Sequence, residues 1–184
     1  ENSQIKEEGN YINGKKDGVW KTYYENGQLE SEGSYLDDKI NGLGKRWCEN
    51  GQLGFEGNYI NDENDGLWKG WYENGQLKFE GNYINGKRDG IHKRWYENGQ
   101  LDSEGNYING ENDGEYKNWD ENGDLNYTSN YKGGKKDGIY KNYIDGKLSS
   151  SREYKNGKED GLFKSYYKGK VQFTFKYKDG EKID

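Results

Sequence analysis

The sequence predicts an all-β protein, an elongated single-layer antiparallel sheet of tandem β-hairpins, and three observations carry that prediction. The glycines of a Glu-Asn-Gly motif fall at Gly27, Gly51, Gly75, Gly99 and Gly123, and a second set falls at Gly18, Gly42, Gly66, Gly90, Gly114 and Gly138, both with a period of 24. Turn signals bound short stretches rich in β-branched and aromatic residues, and no window carries apolar residues at helical spacing. The chain is only 28% hydrophobic yet holds 18 Tyr, 6 Trp and 5 Phe at places fixed by the repeat. That is too aromatic for a disordered chain and too lean for a thick core. Such a period means one supersecondary unit copied along an axis, each copy burying its apolar surface mainly against its neighbours.

The copy from Gly90 to Tyr107 reads as two strands around the turn Glu97-Asn98-Gly99. Three loop residues suit a type I turn whose third residue takes the left-handed conformation that Gly accepts without a Cβ clash. Tyr96 then pairs with Gln100, and Trp95 with Leu101. In the last copies the period drops to 23, with Gly146 and Gly169 following Gly123, and Ile144-Asp145-Gly146-Lys147 suits a two-residue type I′ turn. Tyr143 still pairs with Leu148, so the lost residue is absorbed by the turn while an aromatic–aliphatic cross-strand pair survives.

Strict alternation assigns Ile91, Lys93, Trp95, Leu101, Ser103, Gly105 and Tyr107 to one face, and His92, Arg94, Tyr96, Asp102, Glu104 and Asn106 to the other. The first is expected to be the packing face. It carries an aromatic column (Tyr23, Trp47, Trp71, Trp95, Trp119, Tyr143, Tyr166), an aliphatic column beginning at Leu29, and a lysine column from Lys21 to Lys164 whose stems cross the rings. The second face carries Glu8, Glu32, Glu56, Glu80 and Glu104 opposite Trp20, Trp68, His92 and Tyr116. Six-residue links such as Ile84 to Asp89 join the hairpins as fixed turns. Residues 1–184 thus read as a single array of about seven copies of 23 or 24 residues, turning at Gly27, Gly51, Gly75, Gly99, Gly123, Gly146 and Gly169, with a partial copy beginning at Ile5.

Net charge is −6, with Lys and Arg dispersed among Asp and Glu in every copy, which argues against nucleic acid and anionic membrane as partners. No apolar run is long enough for a transmembrane segment, and no signal peptide is evident. The absence of Met suggests a processed chain and is compatible with a removed export signal. The single Cys48 excludes an internal disulfide framework.

The string of a Trp or Tyr, a Tyr-Glu-Asn-Gly-Gln-Leu turn, a Glu-Gly-Asn-Tyr strand and an Asn-Gly-Lys-x-Asp-Gly loop resembles the MORN repeat variant, the bacterial relative of the membrane occupation and recognition nexus repeat. The likeness runs from Ile5 to Tyr177 and departs at Gly44, Glu115 and Ser129, where an aromatic, an aliphatic and a Gly are expected. It implies a β-hairpin array with a non-catalytic role. Members of the family occur as antitoxin-like or immunity proteins beside secreted toxins, and as exported proteins of host-associated bacteria.

No catalytic, cofactor or metal site is expected. His92 stands in the slot filled by Trp20, Trp68, Tyr116, Tyr140 and Phe163, and Cys48 in that of Tyr24, Tyr72 and Tyr96, so each reads as a column member. The loops Asn61 to Gly66 and Asn109 to Gly114 offer alternate oxygen ligands, but Tyr72 or Asp120 stands where a calcium loop needs Glu, and turn chemistry is the simpler reading. The leading expectation is an exported scaffold (secreted, periplasmic or on the cell surface) that binds a protein partner through Tyr24, Tyr72, Tyr96, Tyr116, Tyr140 and Tyr167. The alternatives are immunity to a toxin and an array that binds carbohydrate or cell wall by stacking rings on sugars.

Overall fold

The computed structural model describes residues 6–183. Ile5, where the partial first copy begins, and the terminal Asp184 lie outside them. Among the described residues there is no helix, and seventeen strands form a single-layer antiparallel sheet of tandem hairpins. The chain divides into two compact units, the first ending at Arg88 and the second beginning at Asp89.

In the first unit, β1 (Glu7–Ile12), β2 (Lys15–Tyr23), β3 (Leu29–Leu36), β4 (Lys39–Trp47), β5 (Leu53–Ile60), β6 (Glu63–Trp71) and β7 (Leu77–Ile84) pair in chain order. The boundary falls near the start of β8 (Lys87–Trp95), and in the second unit the rest of β8, β9 (Leu101–Ile108), β10 (Glu111–Trp119) and β11 (Leu125–Lys132) pair in order. The next strand is split into β12 (Lys135–Lys136) and β13 (Gly138–Ile144), and both pieces pair with β11. Then follow β14 (Lys147–Lys155), β15 (Lys158–Tyr167), β16 (Lys170–Lys178) and β17 (Glu181–Lys182).

The hairpin turns form as their residues dictate. The Gly99 N–H donates to the Tyr96 carbonyl at 2.9 Å and the Tyr96 N–H to the Gln100 carbonyl at 2.8 Å, with Gly99 at φ 84°. The Asn98 carboxamide accepts the Gln100 N–H at 2.9 Å, an Asx turn that explains Asn before Gly. In the shortened copies Asp145 (φ 49°) and Gly146 (φ 66°) make a type I′ turn, and Tyr143 faces Leu148. The links between hairpins are tighter than six residues. Asn13–Gly14, Asp37–Asp38 and Asn61–Asp62 each form a two-residue turn with both φ positive, and pairing resumes at once, as in Leu36 opposite Lys39.

The expected facing of the strands is only half right, and a β-bulge is the reason. Arg94 pairs with Ser103 but Trp95 pairs with Leu101, leaving Asp102 unopposed. The same offset leaves Glu30, Gly54, Asn126, Ser149 and Gln172 unopposed in other hairpins. An extra residue on one strand shifts every later side chain to the opposite face. Ser103, Gly105 and Tyr107 therefore share a face with His92 and Arg94, not with Trp95. Likewise Glu104 faces Lys93, and the glutamate column pairs with the lysine column: Lys21–Glu32 at 3.7 Å, Lys45–Glu56 at 3.7 Å, Lys69–Glu80 at 3.8 Å and Lys93–Glu104 at 3.1 Å.

The packing face is accordingly the one that holds Trp20, Trp68 and His92, exposed by only 5%, 7% and 9%. Each stands opposite a glycine across the strand pair: Trp20 with Gly33, Trp68 with Gly81, His92 with Gly105. The Trp47 and Trp71 column, expected at the core, is half-buried on the lysine face.

Candidate functional site

The ring face is built from three positions per copy. The first strand supplies Trp20, Trp68, His92, Tyr116, Tyr140 or Phe163. The second supplies the tyrosine of Glu-Gly-Asn-Tyr and, two residues after the leucine that opens the strand, a further ring at Phe55, Phe79 or Tyr127. In the first unit Trp68 stacks on Phe55 at 5.8 Å and meets Tyr59 edge-on at 4.8 Å. Its indole N–H donates to the Asn58 carbonyl at 3.0 Å, so the polar edge of the buried ring is satisfied.

In the second unit Tyr127 lies between Tyr116 and Tyr140, stacked on each at 5.9 and 5.6 Å, and Tyr140 meets Tyr154 at 6.4 Å. All four rings remain half-buried. Cations lie over ring faces nearby: the Lys136 ammonium is 4.4 Å from the Tyr140 centroid and 5.1 Å from that of Tyr154, and the Arg152 guanidinium is 5.1 Å from that of Phe163. Burial, reinforced by neighbouring phenols, pushes the Tyr127 hydroxyl well above the ordinary tyrosine value. Burial also raises Tyr59, Tyr131 and Tyr154. These phenols stay neutral through the physiological range.

The six tyrosines singled out in the sequence all stand on the ring face but in three settings. Tyr24 donates its hydroxyl to the Trp47 carbonyl at 2.6 Å, and Tyr96 to the Trp119 carbonyl at 2.8 Å, so these two tie one hairpin to the next. The Tyr72 ring lies 5.1 Å from the Lys78 ammonium. Tyr116 and Tyr140 belong to the ring stack, and Tyr167 is 63% exposed. Sequence reasoning passed over Phe55, Tyr59, Tyr127, Tyr131 and Tyr154, although the tyrosine at a fixed place in Glu-Gly-Asn-Tyr was a periodic signal.

The remaining candidates sit within the fold's own bonding. His92 lies edge-on to Tyr107 at 5.1 Å. Cys48 holds its turn through its backbone, its N–H donating to the Gln52 carbonyl at 2.8 Å. The loop carboxylates bond backbone of adjacent hairpins: Asp62 accepts the Ile40 N–H at 2.8 Å and Asp113 the Gly133 N–H at 3.1 Å. Among the described residues no three His, Cys, Asp or Glu side chains group closely enough to hold a metal, and no helix is long and apolar enough to cross a membrane.

Four segments, residues 16–37, 64–85, 88–109 and 112–132, match the MORN repeat variant. The chain is a MORN-repeat protein. Each matched MORN repeat spans one bulged hairpin, from the strand after a linking turn to the end of the next strand. No curated protein matches the chain. MORN repeats commonly serve as protein-interaction or membrane-binding modules and are typically non-enzymatic.

Proposed function

We propose that this MORN-repeat protein is a non-catalytic scaffold that binds a protein partner through its ring face. The observation that carries the reading is the half-buried stack Tyr116–Tyr127–Tyr140–Tyr154, rings fixed by one another yet open on one side. Prearranged tyrosines, with an arginine beside them, are the residue types that concentrate binding energy at interfaces, because little side-chain freedom is lost on contact. Tyr116, Tyr140 and Tyr167 belong to the proposed contact surface. Tyr24 and Tyr96 serve as struts beside it.

Charge favours protein over an anionic membrane: the net charge is −6, and the half-buried lysine column is matched by glutamates. Sugar stacking is the weaker reading, since Trp20 and Trp68, the largest planar surfaces of the column, are buried. The test is affinity capture with the full chain, comparing Tyr116→Leu and Tyr140→Leu with Ile139→Ser on the opposite face. Ring-face changes are expected to lower capture of a specific partner at least tenfold while circular dichroism is unchanged. Retention on glycan lost in the same variants, with protein capture intact, would replace this reading by the carbohydrate one.

A further inference from the structure

The column of first-strand rings has one gap. In the first unit Gly33 faces Gly44 and Gly44 faces Gly57, three glycines side by side between Trp20 and Trp68. Successive column rings should stand about 9.6 Å apart, two strand spacings, whereas Trp20 and Trp68 are four spacings apart, about 19 Å. A cavity of about 180 Å³ lies beside Gly33 and Gly44, walled by Trp20, Tyr35, Ile40, Phe55 and Tyr59, while Gly57 lies beneath the Trp68 ring.

The second unit contains the filled version of the same slot. Gly44, Phe55 and Trp68 correspond, three copies later, to Tyr116, Tyr127 and Tyr140. There the middle ring is stacked on both sides, at 5.9 and 5.6 Å. Phe55 is stacked on Trp68 at 5.8 Å and 25° and also lines the cavity. The Tyr59 ring and the Ile40 side chain close over Gly44 instead, and the cavity left between them and Phe55 lacks the third ring of the stack.

The polar groups at its rim satisfy one another. The Lys16 ammonium pairs with Glu7 at 3.5 Å and covers the Trp20 ring at 4.0 Å. Arg46 pairs with Glu30 at 2.8 Å, and the Thr22 and Ser31 hydroxyls bond each other at 2.7 Å. Ile40 occupies the position that holds Lys16 and Asn64 in the adjoining copies, which makes the inner wall apolar. Nothing there calls for a charged ligand, and an apolar cavity of roughly 150 Å³ suffices for a benzene-sized ring.

We infer that the Gly44 slot receives one neutral aromatic side chain, an indole or phenol, presented by the protein partner and stacked on Phe55. This rests on the scaffold reading for its source of the ring, though the slot's chemistry is testable without the partner. The probe is N-acetyl-tryptophanamide, titrated into the full chain while the amide resonances of Gly33 and Gly44 are followed, since a stacked ring shifts them by its ring current. Saturable shifts confined to these glycines are expected. Phe55→Leu should weaken the probe about three- to tenfold, the worth of one stacked pair. Gly44→Tyr, which supplies the ring internally, should weaken it more than tenfold, the Tyr59 ring edge giving way because it lies 2.7 Å from the new Cβ. Absence of saturable shifts, or undiminished binding in Phe55→Leu, overturns the inference, and that variant decides if Gly44→Tyr does not fold. Stronger shifts with N-acetylglucosamine at the same amides also overturn it, in favour of a sugar. Partner capture that survives Gly44→Tyr unchanged removes the slot from the interface while leaving the scaffold reading intact.

Discussion

The indole of Trp68 lies flat on the backbone of Gly57, its partner on β5: a Cβ built at Gly57 would meet Trp68 Cδ2 at 2.2 Å. Trp20 lies over Gly9 in the same manner, at 2.3 Å, and the Tyr116 ring over Gly105 at 2.6 Å. A glycine beside each of these three rings is thus the recess that lets a large side chain lie down on a one-layer sheet. This is how a chain so poor in aliphatics buries anything.

Gly57→Ala is expected to destabilise the first unit by about 1–3 kcal/mol through overpacking, because the obstacle is a whole ring system that cannot swing aside. Gly90→Ala is a control of another kind, having open space but a φ of 84°. Urea unfolding should separate the two: repacking of Trp68 must change its fluorescence in the first and leave it unchanged in the second.

Tyr24→Phe and Tyr96→Phe should each cost about 1 kcal/mol, the net worth of one hydrogen bond to a carbonyl left partly buried. If the contact of Tyr96 with the Trp119 carbonyl ties successive hairpins, hydrogen exchange will quicken at the turn after Trp119 more than at its own turn. Equal protection in wild type and variant would contradict the strut role.

Stability should fall in alkali through the ring tyrosines. Their folded hydroxyls are held above the unfolded value of 10.0, so the neutral form favours the fold. That contribution is complete below about pH 10 and is lost as the pH rises through the folded values. The melting temperature is expected to drop above pH 10, and Tyr127→Phe to reduce the drop. Phenolate absorbance rising as a single step at the unfolded value, with the fold intact, would refute the shift.

The lysine–glutamate ladder should matter little to stability. Lys69 and Glu80 are about one-third exposed at 35% and 33%, and their oxygen–nitrogen distance is 3.8 Å. A double-mutant cycle with Lys69→Gln and Glu80→Gln is expected to give a coupling of about 1 kcal/mol or less, vanishing in molar salt.

Deleting Glu121 should be tolerated, since Asn122-Gly123 then suits a two-residue turn of the kind at Asp145-Gly146. Deleting Asn126, the unopposed residue of β11, should break its hairpin by turning Tyr127, Ser129 and Tyr131 over to the wrong face. Amide exchange across β10 and β11 measures both: near-native protection for the first deletion, none for the second.

The turns and pairs were legible because they rest on local chemistry: positive φ at Gly99 and Gly146, and the pairing of Trp95 with Leu101 and Tyr143 with Leu148. The faces were not, because alternation counts every residue and Asp102 has no partner to count against. Nothing in a single strand marks a bulge at Glu30, Gly54 or Asn126, whose side chains have no chemistry in common. The same slip hid the ring surface, since it separated Trp20 and Trp68 from the tyrosines that pack beside them. Gly44, in contrast, was visible as a departure from the column, although its cavity became visible only once Gly33 and Gly57 were seen to flank it.

The bulge survives in every hairpin whose pairing runs from a first-strand aromatic to its aliphatic partner, including the two with shortened turns. Period and phase are therefore encoded in different residues, the turn fixing how long a copy is and the unopposed residue fixing which side of the sheet its second half presents. A lineage of such proteins can drift in copy length at the turns, or exchange a copy of 24 for one of 23, without scrambling the ring face. A single inserted or lost residue beyond the turn has no such freedom.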